Sequence, residues 1–435
     1  MISTPGTGVV GVVLLLALLL AGMPIGVALG VVGLGGLILT LGFEPALIKS
    51  AVLLFETLSR YELGTLPLFM LMAHLCFAAE ASRDFFDAAA RFLGHRRGGL
   101  ATASVAGCAG FGAINGSSLA TTATIGLVAL PEMRQRGYSD ALATGSVAAG
   151  GTLGQMIPPS GALIVFGIVA EQSIGTLFTA AIVPGITQML SYFVVIAILV
   201  RIFPHIAPRL PRANWADRWS ALKRTVDITL LILVVIGGIA MGWVTPSEAA
   251  AVGAAGAFLV CAFRRRLTFA VVHRAMAETL RTSGLIYLVI IGALIFAVFI
   301  SITGLTDAVG SSIAALGLGP VGTMLLIALF LLLVGSVLDG LALMLLTTPI
   351  LLPLVIDLGL SPIWFGIFLV RAMEIGFVHP PIGMNLYVIQ GIAPDVPLGR
   401  IFKGVVPFLA ADLVHLVLLV LFPVLALGLP EWMGQ

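Results

Sequence analysis

Residues 1–43 carry no charged side chain, and a single Met23-Pro24 step interrupts their hydrophobicity. About 20 apolar residues cross a bilayer as a helix, so this run reads as two short spans and leaves a soluble fold almost nothing to turn towards water. The rest of the chain agrees: 60% of the 435 residues are hydrophobic and 10% are charged, against roughly 25% charged in soluble domains. Cytosolic metabolism and nucleic-acid binding are excluded, and a net charge of +2 is too small to call for a polyanion partner. Cys76, Cys108 and Cys261 lie far apart in apolar runs. They offer no C-x-x-C, metal cluster or disulfide framework and read as small core residues. The N-terminus lacks a basic n-region, so the first apolar segment reads as a retained span.

Uncharged runs place ten crossings, at about 9–22, 25–41, 66–80, 140–170, 175–203, 226–243, 247–263, 284–303, 362–392 and 407–428. Two further apolar stretches, 98–131 and 318–353, are crowded with Gly, Ser and Thr near their centres and are each bounded by a proline, Pro131 and Pro353. That composition suits re-entrant helical hairpins. Amphipathic segments at 44–62 and 267–283 read as surface helices.

The chain has two Pro-Pro pairs, Pro158-Pro159 and Pro380-Pro381, separated by 222 positions. The same offset superposes Pro24 on Pro246, Pro131 on Pro353, Gly137 on Gly359, Ser139 on Ser361, Gly154 on Gly376 and Gly161 on Gly383. The sequence is therefore a duplication: a first repeat over 1–212 with hairpin 98–131, a connector at 213–222, and a second repeat over 223–435 with hairpin 318–353. Five crossings and one hairpin per repeat make an odd number of crossings, so the second half inserts upside down. Basic residues support this topology. With the connector in the cytoplasm, all of the 22 Lys and Arg fall inside except Lys49 and Arg60 outside and Arg371 within the membrane. The expected fold is an all-α polytopic membrane protein of two inverted-topology repeats.

Inverted repeats with interrupted helices place a transport site near the midplane, where broken backbone frees NH groups and carbonyls. The first hairpin turns at Gly112-Ala113-Ile114-Asn115-Gly116-Ser117-Ser118, followed by Thr121, Thr122 and Thr124. Such hydroxyls and carbonyls can ligate a small hard cation, and a Gly/Ser helix contact is the structural alternative. The second break is Gly154 to Gly161, through Pro158, Pro159 and Ser160, where two prolines remove two backbone donors. Its counterpart runs from Gly376 through His379, Pro380 and Pro381 to Gly383. The second hairpin turns around Gly335-Ser336-Val337-Leu338-Asp339-Gly340, with Thr347 and Thr348 on its return arm. Asp339 is an intramembrane carboxylate and a site candidate, with helix capping as a compatible role. Arg371 and Glu374 share a helix face as an ion pair, with anion binding by Arg371 as the alternative. His379 is either a titrating site residue or a buried hydrogen-bonded one. No phosphate loop, G-x-S-x-G or H-E-x-x-H motif occurs, so the chain is expected to be no enzyme and to need no cofactor. Transport down an ion gradient remains.

At these residues the sequence resembles the large membrane subunit of the tripartite ATP-independent periplasmic (TRAP) transporters. The resemblance covers essentially the whole chain. It is carried by Asn115-Gly116-Ser117-Ser118-x-Ala120-Thr121, Pro131-Glu132-Met133-x-x-x-Gly137-Tyr138, Gly151-Thr152-Leu153-Gly154, Ile157-Pro158-Pro159-Ser160 and Pro349-Ile350-Leu351-Leu352-Pro353. Glu374-Ile375-Gly376 and Pro380-Pro381-x-Gly383-x-Asn385 complete it. The resemblance implies a subunit of the bacterial inner membrane that takes up small organic acids with sodium by an elevator-type movement. It implies two partners, a small membrane subunit of about four spans and a periplasmic substrate-binding protein. Ion and substrate sites then map onto Asn115 to Ser118, Thr121, Gly154, Pro158 to Ser160, Asp339, Gly340, Thr347, Thr348, Gly376, His379 to Pro381, Gly383 and Asn385, with Ser117, Ser118 and Asp339 as sodium ligands at the tips. His379 departs from the family, which usually has Thr before the second Pro-Pro. Two other readings stay open: a self-sufficient sodium–carboxylate symporter, and a structural membrane subunit without a path of its own.

Overall fold

The structure, a computed structural model, describes residues 4–336 and 338–435. Val337, in the expected second hairpin tip, lies outside the described residues, as do residues 1–3. The described chain is helical throughout, without strands. Among the described residues, six helices, together with the pair Asp140–Met156 and Gly161–Val169 bent by 40° at the first Pro-Pro, are long and apolar enough to span a membrane. Length alone does not mark a crossing, since Gly340–Asp357 also qualifies yet is the return arm of the second hairpin.

The duplication is visible element by element. Ser118–Gln135 and Asp140–Met156 recur as Gly340–Asp357 and Pro362–Val378, displaced by 222 at both ends. The local signals recur as well. Ser139 and Ser361 cap the broken helices by accepting from the Leu142 and Trp364 amides at 3.3 and 3.5 Å. Packing has the reciprocity of a two-fold relation: Ile25–Leu41 lies against Phe269–Thr303, and Pro246–Phe263, its repeat equivalent, lies against Thr65–Ala78. These four helices form one tight bundle. A Cβ on Gly26 or Gly33 would strike the Leu288 or Phe296 backbone, and Tyr287 donates to the Leu63 carbonyl at 2.7 Å.

Two local expectations are corrected. Pro131 and Pro353 do not bound the hairpins; both lie inside return arms that run on to Gln135 and Asp357. A membrane proline removes one rung and kinks the helix, which can resume beyond it. The stop comes from Gly137 and Gly359, at φ 78° and 74°, where the Tyr138 and Leu360 amides close back on the Met133 and Val355 carbonyls. The surface helices also differ between halves. Phe43–Leu58 is separated from the crossing Thr65–Ala78 by a short turn, whereas the segment from 269 continues without interruption to Thr303. Pro67 opens the first crossing and its ring cannot extend a preceding helix; its equivalent is Val289.

Charged pairs sort by face. Arg264 reaches Asp84 at 2.6 Å and Asp227 at 2.7 Å, Arg266 reaches Glu80, Arg224 reaches Asp87, and Arg134 pairs with Asp140 and Asp395. All belong to segments expected in the cytoplasm. Arg60 and Glu171, expected outside, pair with each other at 2.6 Å.

Candidate functional site

Each hairpin tip meets the Pro-Pro break of its own repeat. In the first, Gly99–Asn115 ends on Gly116, whose φ of 63° turns the chain. Ser117 then caps Ser118–Gln135 by accepting from the Ala120 amide. The tip sits directly on the break: the Gly161 amide donates to the Gly116 carbonyl at 3.3 Å, and a Cβ on Gly116 would run into the Pro159 carbonyl. A Cβ on Gly112 would lie 2.5 Å from the Gly154 Cα, and one on Gly154 would meet the Thr121 hydroxyl and, at 2.9 Å, the Ser117 carbonyl. Only glycine lets these backbones touch. Converging here are the Asn115 amide, 3.5 Å from both the Ser117 carbonyl and Thr121 Oγ1, and the fully buried Thr121 and Ser160, the latter capping Gly161–Val169. Thr122 Oγ1 and Gln155 Oε1 are buried without a partner. Thr122 belongs to the hydroxyl-rich run that the sequence already marks after the first tip, whereas Gln155, although inside the second break, is not among the candidate site residues read from sequence.

Asn385 also belongs to this first site, although it follows the second Pro-Pro. It donates to Ser118 Oγ at 2.9 Å and to the Ala148 carbonyl at 3.0 Å, tying Met384–Ile392 of the second repeat to the first hairpin.

The second site is built differently. Asp339 caps Gly340–Asp357 by accepting from the Leu341 amide at 3.1 Å. A Cβ on Gly376 would lie 2.8 Å from the Gly335 carbonyl, so tip and break again touch. Beside this contact is a cavity of about 40 Å³ lined by Ser336, Asp339, Gly340, Met373, Phe377 and Gly383. That is room for a few water molecules or one small ion. His379 ends Pro362–Val378 with Nδ1 unpartnered, and both Pro-Pro bonds are cis. Thr347 and Thr348 are not brought to the tip. Their hydroxyls donate to the Leu343 and Met344 carbonyls at 2.7 Å, and seven residues of helix carry Thr347 about 10 Å beyond Gly340.

Residues 12–425 match the family model of the tripartite ATP-independent periplasmic transporter, DctM component. The chain belongs to that family. It is 35% identical to the C4-dicarboxylate TRAP transporter large permease protein DctM of Pseudomonas aeruginosa, over 93% of this chain and 94% of that one. It is 32% identical to the sialic acid TRAP transporter large permease protein SiaM of Vibrio cholerae, over 96% of each. The crystal structure of the Alcanivorax borkumensis YdaH transporter shares the fold, with a TM-score of 0.59 over 98% of both chains at 16% identity. This TRAP permease is thus an integral inner-membrane transporter subunit and not an enzyme.

Near the second break the TRAP permease holds a buried polar network. Arg371 donates through Nη1 to Glu374 at 2.9 Å, through Nη2 to Asp412 at 2.5 Å and through Nε to His415 Nδ1 at 3.1 Å. Its side chain is 0% exposed, and each of its three nitrogens is engaged by a protein partner, so the structure supports the ion-pair role over anion binding. Asp412 and His415 are not among the residues singled out by sequence, although two ionisable residues three apart in an apolar run are the signal that points to them.

Proposed function

We propose that this chain is the translocating subunit of a sodium-coupled TRAP importer of small organic acids. The observation that carries the reading is the pairing of each hairpin tip with the interrupted helix of its own repeat, at the break glycines Gly154 and Gly376, 222 residues apart. Tip and break together gather oxygens that a small cation can use: the Ser117 carbonyl with the Asn115, Thr121 and unpartnered Thr122 side chains in the first site, and Asp339 beside a small cavity in the second. Ser117, Ser118 and Asp339 remain the residues we assign to sodium, and Pro158, Pro159, Pro380 and Pro381 keep the breaks open. The helix N-termini behind Ser117, Ser160 and Asp339 would favour a substrate carboxylate. The relatives named for C4-dicarboxylate and sialic acid transport point to an organic acid.

In this reading the bundle of 25–41, 65–78, 246–263 and 269–303 is the fixed scaffold, and the hairpins with their broken helices move past it. A small membrane subunit and a soluble periplasmic binding protein complete the transporter. The test is uptake of a carboxylate by proteoliposomes holding the chain and both partners, with an inward sodium gradient as the sole driving force. Uptake that persists without sodium, driven by ATP or a proton gradient, overturns the coupling; uptake by the chain alone overturns the tripartite assembly.

A further inference from the structure

The Arg371 network is not used by the proposed function, and its charges do not balance. Arg371 contributes one positive charge, and Glu374 and Asp412 would contribute one negative charge each. His415 is held neutral: its Nδ1 accepts from Arg371 Nε, so its proton is on Nε2, 2.8 Å from Thr187 Oγ1. Thr187 donates onward to the Val183 carbonyl at 2.9 Å and is free to accept. With both acids ionised, a net negative charge would lie wholly buried among membrane helices, where an unbalanced charge is expensive.

The hydrogen bonds show what is missing. Thr152 donates to the Ala149 carbonyl at 2.7 Å, and Tyr192 donates to Asp412 Oδ1 at 2.6 Å. Both hydroxyls therefore offer only lone pairs to Gln188, which must present its Nε2 to them, at 3.0 Å each. The Gln188 amide lies alongside Glu374, and Gln188 Oε1, Glu374 Oε1 and Asp412 Oδ2 are buried without a partner. All three are acceptors. What the network lacks is a donor, and one more hydrogen on a carboxylate supplies it while restoring neutrality. Asp412 is the better anion of the two, because its Oδ1 receives both Arg371 and Tyr192, whereas Glu374 receives Arg371 alone.

The geometry points to Glu374 as a proton-binding site, held in the folded protein as its carboxylic acid, with Oε1–H donating to Gln188 Oε1 and Arg371 and Asp412 left as a single ion pair. A hard divalent cation in the same place would need about six oxygens, more than the three left open. Thr152 and Glu374 occupy equivalent positions of the two repeats, so the loaded network fastens one broken helix to the other. Glu374 is a positioning residue in this role, and the inference stands whatever ion or substrate the tips carry.

Infrared difference spectroscopy on the full chain in proteoliposomes tests it at neutral pH. Wild type should show a protonated-carboxyl C=O band that shifts on 13C-glutamate labelling, and Glu374 is the one glutamate among the buried residues. The band should vanish in Glu374→Gln, which keeps a donor and the wild-type thermal midpoint. It should vanish also in Asp412→Asn, where Glu374 becomes the sole counterion of Arg371 and ionises. The labelled wild-type spectrum decides the matter even if a variant fails to fold. No glutamate-sensitive band in wild type, or a band surviving in Glu374→Gln, overturns the proposal. A midpoint that rises with sodium in wild type and not in Glu374→Gln would make this a cation site instead.

Discussion

The two hairpin sites use one backbone device and opposite chemistry. At equivalent positions the first has Ser117, Thr121, Thr122 and Ser160, and the second has Asp339, Leu343, Met344 and Ile382. Polarity in the first site is spread over neutral hydroxyls, amides and carbonyls; in the second it is concentrated in one carboxylate. Packing follows the same division. The first hairpin's outgoing arm is buried along most of its length, with Gly107 and Gly110 against Phe86 and Phe85 and Gly112 against Gly154. The arm Gly319–Gly335 is rich in leucine, and Leu329, Phe330 and Leu333 are exposed at its surface. Glycine lets helices touch along their backbones, whereas leucine holds them apart and presents a face to lipid. The first site is thus limited by space and the second by charge.

The largest effect expected from breaking this contrast is at Asp339. Asp339→Asn removes the charge and keeps a capping acceptor, so membrane abundance should stay near wild type while sodium-driven uptake is almost entirely lost. Normal uptake at normal abundance would mean that the second site does not work through its carboxylate. Next is a pair of glycines. Gly116→Ala forces a side chain onto a left-handed residue and against the Pro159 carbonyl, at about 1–2 kcal/mol for the backbone and roughly 1–3 kcal/mol for the overlap. Gly335→Ala meets only the movable Leu343 Cδ2 at 3.0 Å and should cost under about 1 kcal/mol. Thermal unfolding of both variants reads the difference, and equal midpoints would erase the packing contrast. Asn385→Ala leaves Ser118 and the Ala148 carbonyl without their donor, which should cost about 1–3 kcal/mol. If its midpoint matched wild type, the cross-repeat tie would hold nothing. The smallest effect is at Ser117→Ala. Its cap is long, at 3.4 Å, so the loss belongs near the lower end of about 0.5–2 kcal/mol. A reduced apparent affinity for sodium would sharpen the assignment of Ser117 as a ligand, and an unchanged one would confine it to capping.

Much of this architecture is legible in the order of the amino acids alone. Runs of apolar residues longer than a bilayer is thick fix the class of fold, because lipid satisfies no backbone group and only helices or closed barrels can cross it. The 222-residue offset fixes the duplication and, through the odd number of crossings in each repeat, the inversion. Gly/Ser-rich centres and paired prolines mark where helices must be interrupted, since these are local steric facts written in single residues. The membership that the motifs around Asn115 and the Pro-Pro pairs imply is the one the family model shows over residues 12–425.

What the sequence could not determine depends on which helices become neighbours. Nothing near Asn385 in the chain says that its amide ends on Ser118, more than 260 residues away, or that Thr347 and Thr348 satisfy their hydroxyls within their own helix. Nor does Arg371 announce Asp412 and His415, because an ion pair across helices has no spacing signature. Helix starts and stops, breaks and membrane insertion follow from the residues in one segment and the medium around it. Which buried charge meets which, how many protons they share and which hairpin is clamped depend on distances between segments far apart in sequence, and only the packed tertiary structure sets those.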